Sequence, residues 1–222
     1  MSPGLDDEAR RRAAATKRER TRTALIGAAG ALFNEQGYQV SMEDIATRAG
    51  VSVATAYNYF PSKDVLPGEC LGPLLDDLDE GVRHDLSTEA DPESAISRHL
   101  HNTVRLLQRN RRLVIAFMTA YLAHEDTDTV GFNLAETTDR AHDLRVWTSL
   151  TRPLANLLNK LAGLYEFDVS ESAMSTSADN YDVSEFYIKA LVMRTIGHPT
   201  ESADQIATFV LKQLLPTAKK DT

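Results

Sequence analysis

The sequence predicts an all-α protein, on three observations. Long segments space their apolar residues at three and four, strand-type alternation of Val, Ile and Thr is scarce, and helix start and stop signals punctuate the chain. Residues 1–15, acidic and then Arg-rich, read as a flexible arm. Thr16-Lys17-Arg18-Glu19 has the form of a capping box, so a first helix should start there and run to about Gln36, with Leu25, Ala28, Ala29, Leu32 and Phe33 as its apolar stripe. Gly37 stands where a helix end wants a left-handed residue. Ser41-Met42-Glu43-Asp44 opens a second, short helix that Gly50 ends, and Ser52 caps a third that runs to about Tyr59 and is stopped by Pro61. Ser62 can cap a fourth, but Pro67-Gly68 and Gly72-Pro73 predict that it is broken or starts late. Asp91-Pro92-Glu93 combines a cap, a proline at the first helical position and an acid facing the positive dipole end, which predicts a fifth helix to about Gln108. Residues 113–122 are apolar all round and predict a buried central helix. A long helix over 133–165 should kink or break at Pro153, and the polar, Ser-rich 166–182 reads as a loop. Two last helices, about 184–196 and 202–214, are divided by Gly197-His198-Pro199. The expected total is about nine helices, no strands and no internal repeat.

Composition bounds the function. The chain has 222 residues, 42% hydrophobic and 25% charged, enough for one or two globular domains with a real core. It contains no run approaching the roughly 18 apolar residues of a membrane span, and Arg10, Arg11 and Arg12 lead into polar sequence, not the apolar stretch of a signal peptide. A cytoplasmic location without membrane contact is expected. Cys70 is the one cysteine, so no intrachain disulfide forms and no cysteine-based metal site, nor any cofactor, is expected. The net charge of −8 hides an asymmetry: residues 10–63 carry nine Lys/Arg against four Asp/Glu, and residues 64–222 carry fifteen against twenty-five. A basic module is joined to an acidic one, and local positive charge is what phosphate contact requires.

The informative segment runs from Val40 to Lys63. Two short helices meet at a tight turn containing Gly50, with Ile45, Ala46, Ala49, Val51, Ala56 and Phe60 as the contacts between them. The small Ala46 and Ala49 allow a close crossing. This is a helix-turn-helix pattern, whose second helix enters the major groove of DNA. The exposed face of that helix would carry Val53, Ala54, Thr55, Asn58 and Tyr59, beginning at its cap, Ser52.

The runs Ser41-Met42-Glu43-Asp44-Ile45-Ala46, Ala49-Gly50-Val51-Ser52 and Thr55-Ala56-Tyr57-Asn58-Tyr59-Phe60-Pro61-Ser62-Lys63 resemble the signature of the tetracycline-repressor (TetR) family. Ala31-Leu32-Phe33 and Gly37-Tyr38 before them fit as well. The resemblance implies an all-α fold in which residues 16–66 bind DNA and residues 67–222 bind an effector and dimerise. It also implies roles: Ser41, Thr55, Tyr57, Tyr59 and Lys63 on phosphates, and Val53, Ala54 and Asn58 facing bases. Asn suits adenine, and Val and Ala suit a thymine methyl. Arg48 would meet the DNA backbone, and Arg10–Arg12 with Lys17 would add phosphate or minor-groove contacts. Alternatives stay open: Tyr57 and Tyr59 packing on the first helix, Glu43 as a solvated first-turn acid instead of a cytosine reader, Ser41 and Ser52 as caps. Two departures are evident. Family members often carry a basic or polar residue where Val53 stands, and Pro67-Gly68 is unusual where the connecting helix should start.

The C-terminal half is less diagnostic. Phe117, Met118 and Tyr121 share one helix and Trp147 lies on the next, a composition suited to an apolar pocket, with Tyr121, His124, His142 or Arg105 as polar anchors; plain core packing is the alternative. Residues 109–122 bear a faint similarity to steroid- and acyl-CoA-responsive family members. Ile188, Leu191 and Val192, then Ile206, Phe209 and Val210, form wide stripes expected to face a second copy of the chain in a homodimer. His99 and His101, two apart on a helix, point to different faces and are expected to be solvated or capping. No phosphate loop, nucleophile elbow or metal-spaced His pair suggests an enzyme. The expected function is a ligand-responsive regulator, a repressor of a pseudo-palindromic operator released by a small apolar effector. A DNA binder without effector, a small-molecule carrier or an enzyme are the rivals.

Overall fold

The computed structural model describes residues 3–88, 91–125, 136–164 and 177–215. Among them are nine α-helices and no strand: α1 (Pro3–Gln36), α2 (Met42–Ala49), α3 (Val53–Tyr59), α4 (Leu66–Ser87), α5 (Pro92–Arg109), α6 (Arg111–Glu125), α7 (Glu136–Leu164), α8 (Ser177–Gly197) and α9 (Ala203–Leu214), with short 3-10 turns at Gly37–Gln39 and Lys63–Val65.

The expected arm is helix from Pro3 onward, so α1 begins long before Thr16. Alanine and arginine dominate residues 9–15 and are strong helix formers, residues 10–20 are exposed, and Arg12 pairs with Glu8 one turn before it, so local interactions carry this stretch. Thr16 is no cap; its hydroxyl donates to the Arg12 carbonyl at 2.9 Å, as mid-helix threonines do. The stripe Leu25, Ala28, Ala29, Leu32 and Phe33 is buried as its spacing predicts.

α4 is continuous, contrary to expectation. Pro67 sits in its first turn, where no backbone N–H is needed, and the exposed Pro73 gives up one backbone bond on the solvent side. α7 likewise runs through Pro153. Residues 177–182, read as loop, belong to α8, while 165–176 lie outside the described residues.

The central buried helix is α7, which packs on α4, α5 and α8. Val146, Leu150, Leu154, Leu157 and Leu158 are its buried residues toward these neighbours. α6 is not buried all round: Leu113, Val114, Ala116, Phe117 and Ala120 are inside, but Leu122 is half exposed. Among the described residues the buried apolar side chains, Ala120 and Ala155 apart, form one connected cluster from Leu25 to Leu214. The seam between α1 and α4 holds Cys70, whose thiol donates to the Ile26 carbonyl at 3.3 Å and lies 3.6 Å from where a Cβ on Gly30 would stand.

Candidate functional site

The helix-turn-helix is fixed by its own backbone chemistry. Ser41 accepts from the Asp44 N–H while the Asp44 carboxylate accepts from the Ser41 N–H, a capping box; the Ser41 hydroxyl, which donates to the same carboxylate at 2.6 Å, and then that N–H hold the Asp44 carboxyl below the usual range. Gly50 adopts φ of 70°, a left-handed geometry that favours glycine, and its N–H donates to the carbonyls that end α2. Ser52 accepts from the Thr55 N–H at 3.1 Å, and the two hydroxyls are 2.8 Å apart. Ala56 and Phe60 face inward onto the buried Ile45 and Ala46, and Ala49 and Val51 pack at the margin.

What α3 leaves outside is a short polar face. Ala54, Asn58 and Tyr57 are exposed, Tyr57 at 48%; Val53, Thr55 and Tyr59 are half buried. The two tyrosines therefore part ways. Tyr57 points to solvent, while Tyr59 leans on the core with the Arg18 guanidinium 5.8 Å from its ring centre. Lys63 is engaged: its ammonium donates to the Tyr38 carbonyl at 3.0 Å and lies 4.0 Å from the Tyr38 ring centre. Arg48 is engaged too, in a fork of 2.7 and 2.8 Å onto the Glu35 carboxylate, which lowers the Glu35 pKa. The backbone carbonyl of Glu35 accepts from Arg112 of α6. Arg10, Arg11, Arg12 and Lys17 line exposed α1, with Arg12 paired to Glu8.

Sequence reasoning missed Arg18, Arg22 and Glu69. Arg22 pairs with the buried Glu69 of α4 and sits 5.6 Å from the Phe60 ring centre, tying α1, the end of α3 and α4 together. Their signal was available: Arg18, Arg22, Leu25 and Ala29 continue one helical face.

In the other half, Phe117, Tyr121 and Trp147 do come together, with ring centres 6.2, 6.1 and 5.7 Å apart. Met118 is half buried beside them. The side chains of His124 and His142 lie outside the described residues. Arg105 is not an anchor; it is half exposed and 3.7 Å from Asp204. Gly68, in the first turn of α4, lies directly on this cluster: a Cβ there would stand 3.6 Å from Val146 and 3.8 Å from Phe117. The Pro67-Gly68 pair thus lets the start of α4 approach the aromatic group.

His99 is a second correction, because it is fully buried and not solvated, and neither ring nitrogen has a partner among the described residues. Burial pushes its pKa down to about 4 despite Asp79 and Asp85 nearby. A third concerns the dimer. Ile188, Leu191, Val192, Ile206 and Val210 are buried within the chain, where α8 and α9 pack on each other and on α5, so they cannot face a partner. Phe209 stays 46% exposed, and the residues overlooked are Phe186 and Met193, 67% and 56% exposed and seven apart on α8. Among the described residues no helix is long and apolar enough to cross a membrane, and no cluster of three metal-ligating side chains occurs.

Residues 25–70 match the sequence model of the bacterial regulatory proteins, tetR family. The chain is similar to the HTH-type transcriptional repressor KstR of Mycobacterium tuberculosis, 34% identical over 107 residues, 48% of each chain. It is also similar to the HTH-type transcriptional activator FasR of Mycolicibacterium smegmatis, 26% identical over 179 residues, 77% of this chain and 74% of that one. The first matches span about half the length of the curated relatives. The fold matches that of Thermus thermophilus FadR, a repressor solved with lauroyl-CoA, at TM-score 0.63 and 21% identity over 87% of this chain and 93% of that one. The capped helix-turn-helix is thus similar to that of the tetR family of bacterial regulatory proteins, and the helical body that carries it has the fold of that solved repressor.

Proposed function

We propose that the chain is a cytoplasmic, ligand-responsive transcriptional repressor, in which residues 16–66 read a pseudo-palindromic operator and residues 67–222 sense a small apolar effector and dimerise. The observation that carries this reading is the junction: α4 is held to the DNA-reading unit by Glu69 on Arg22, and one residue earlier, at Gly68, it rests on Phe117 and Val146 of the aromatic cluster. A ligand that spreads Phe117, Tyr121 and Trp147 must displace the start of α4. In a two-fold dimer the recognition helices sit one DNA turn apart, about 34–36 Å, so a small displacement spoils both half-sites together. Asn58, Ala54 and Tyr57 are the free groups of α3, with Asn58 on a base and Tyr57 on a phosphate. Ser41 and Ser52 act as caps first. Arg48 and Lys63 reach phosphate only by leaving Glu35 and Tyr38. Phe186, Met193 and Phe209 form the apolar face that a second copy covers. Repression follows KstR and FadR; the longer similarity to FasR favours activation as a second reading.

The test is binding of duplexes flanking the protein's own gene, followed by anisotropy, with footprinting to locate the site. Trp147 is the sole tryptophan, so quenching of its fluorescence reports ligand. A ligand weakened by operator to the same degree that it weakens operator binding supports a switch, with a coupling of about 1–3 kcal/mol. Equal ligand affinity with and without operator leaves a constitutive DNA binder. Ligand binding with no DNA binding leaves a carrier.

A further inference from the structure

The aromatic cluster has a polar end that an apolar effector alone would leave unused. Trp147 is more than nine-tenths buried and Thr151 is completely buried, yet the Trp147 Nε1 and the Thr151 Oγ1 have no hydrogen-bond partner among the described residues. They are four apart on α7, so the two side chains stand one above the other on a single face. Other buried helical threonines avoid this situation. Thr103 donates to the His99 carbonyl at 2.9 Å and Thr195 to the Leu191 carbonyl at 2.7 Å, each bonding back four residues. The corresponding acceptor for Thr151 is the carbonyl of Trp147 itself, and Thr151 does not use it. A buried donor without a partner is costly, and here two stand one turn apart, one of them on the ring that meets Phe117 and Tyr121, where a single acceptor would serve both.

We infer that Trp147 Nε1 and Thr151 Oγ1 form the hydrogen-bonding end of the effector site, and that the effector is a neutral molecule with an apolar body and an acceptor oxygen of the ketone or ester kind. This rests on the aromatic cluster being the effector site. An indole N–H can only donate, so the ligand atom must accept. The body lies against Phe117 and Tyr121, whose rings are within 6.2 Å of one another and of Trp147. An anion fits poorly, because a buried charge needs a committed counter-ion. Among the described residues, Lys189 stands 5.7 Å from the Trp147 ring centre and is already paired to Glu185 at 2.6 Å.

The experiment compares three probes of one shape on the full chain: 4-phenylbutan-2-one, butylbenzene, which has a methylene in place of the carbonyl, and 3-phenylpropanoate. Affinities come from Trp147 quenching, and by calorimetry for Trp147→Phe. The ketone should bind about tenfold more tightly than butylbenzene, and the carboxylate more weakly than the ketone. Thr151→Val should reduce the ketone preference about fivefold and leave butylbenzene unchanged, while raising the urea midpoint of the free protein, because it removes an unpartnered buried hydroxyl. Trp147→Phe should erase the preference in the same way. A hydroxyl with a purely structural role predicts the reverse, a lower midpoint with no change in ligand preference. Equal binding of ketone and butylbenzene overturns the polar end and leaves the effector site standing. Tightest binding by the carboxylate overturns the neutral class. No quenching by any probe overturns the site and its polar end together.

Discussion

Lowering the pH from 7 to 5 should destabilise the fold by about 2 kcal/mol through His99. In the unfolded chain His99 titrates at its ordinary value of 6.5, and in the folded chain at about 4. As the pH falls through 6.5 the unfolded state takes up a proton that the folded state refuses. The imbalance stays near one proton until the pH approaches 4. Each pH unit of such imbalance is worth about 1.4 kcal/mol, so the 1.5 units between 6.5 and 5 give about 2 kcal/mol, rising to about 3 at pH 4. The stability is therefore present above 6.5 and is lost as the pH falls. Carboxylates with lowered pKa, namely Glu35, Asp44 and Asp91, have ordinary values of 4.5 or below, so their contribution is lost at lower pH and does not intrude. The assay is urea unfolding at fixed protein concentration across this range, where 2 kcal/mol moves the midpoint by about 1 M. His99→Leu should flatten the profile between pH 7 and 5. At pH 7 it should cost nothing, since it removes two buried nitrogens without partners. Parallel loss of stability in parent and variant over this window would refute the reasoning.

The remaining predictions concern the junction, the DNA face and the assembly. Gly68→Ala should stabilise by about 0.5–1 kcal/mol, because its Cβ meets Val146 and Phe117 at ordinary contact distance, whereas Gly68→Leu should overpack at about 1–3 kcal/mol; thermal melts decide. Asn58→Ala should cost about 1–3 kcal/mol at one operator position, and an equal loss at all positions would exclude a base contact. Glu35→Gln frees Arg48 and should tighten DNA binding while steepening its salt slope by about one unit; an unchanged slope means that Arg48 never reaches phosphate. Phe186→Glu should give folded monomers in sedimentation, whereas Ile206→Glu should unfold the chain, since Ile206 is buried in its own subunit.

The parts of the fold legible in the sequence were those written in local chemistry. Ser41 with Asp44, Gly50, Ser52 and the Asp91-Pro92 start each act within four residues, and each fell where its spacing predicted. The arm before Thr16 was misread against its own local propensity; the other misreadings share one cause, that local signals do not say what tertiary contact will do with them. Pro67 was read as a breaker because its place in the first turn depends on Val65 ending the preceding turn. Ile188, Leu191, Ile206 and Val210 showed an apolar stripe but not its partner, which is the chain itself. His99 sits on a face with Ile96 and Thr103, so its burial was implied by the helical spacing of α5, yet the imidazole suggested a polar environment. Arg48 and Lys63 were identified as basic residues near the recognition helix. Their engagement with Glu35 and Tyr38 spans 13 and 25 residues, beyond any local pattern.

The lone cysteine gives this molecule a built-in chemical clock. Cys70 lies in the seam between the helix that carries the DNA reader and the helix that meets the aromatic cluster, and burial, with Glu69 beside it, pushes its thiol up to about 12. A thiol so placed is inert to alkylating and oxidising reagents while the seam is shut. Its labelling rate therefore counts how often α1 and α4 part. Operator DNA, by holding the two helices together, should slow that count, and an effector that prises α4 away should quicken it. The time base of the proposed switch can then be read by mass spectrometry, without attaching any reporter.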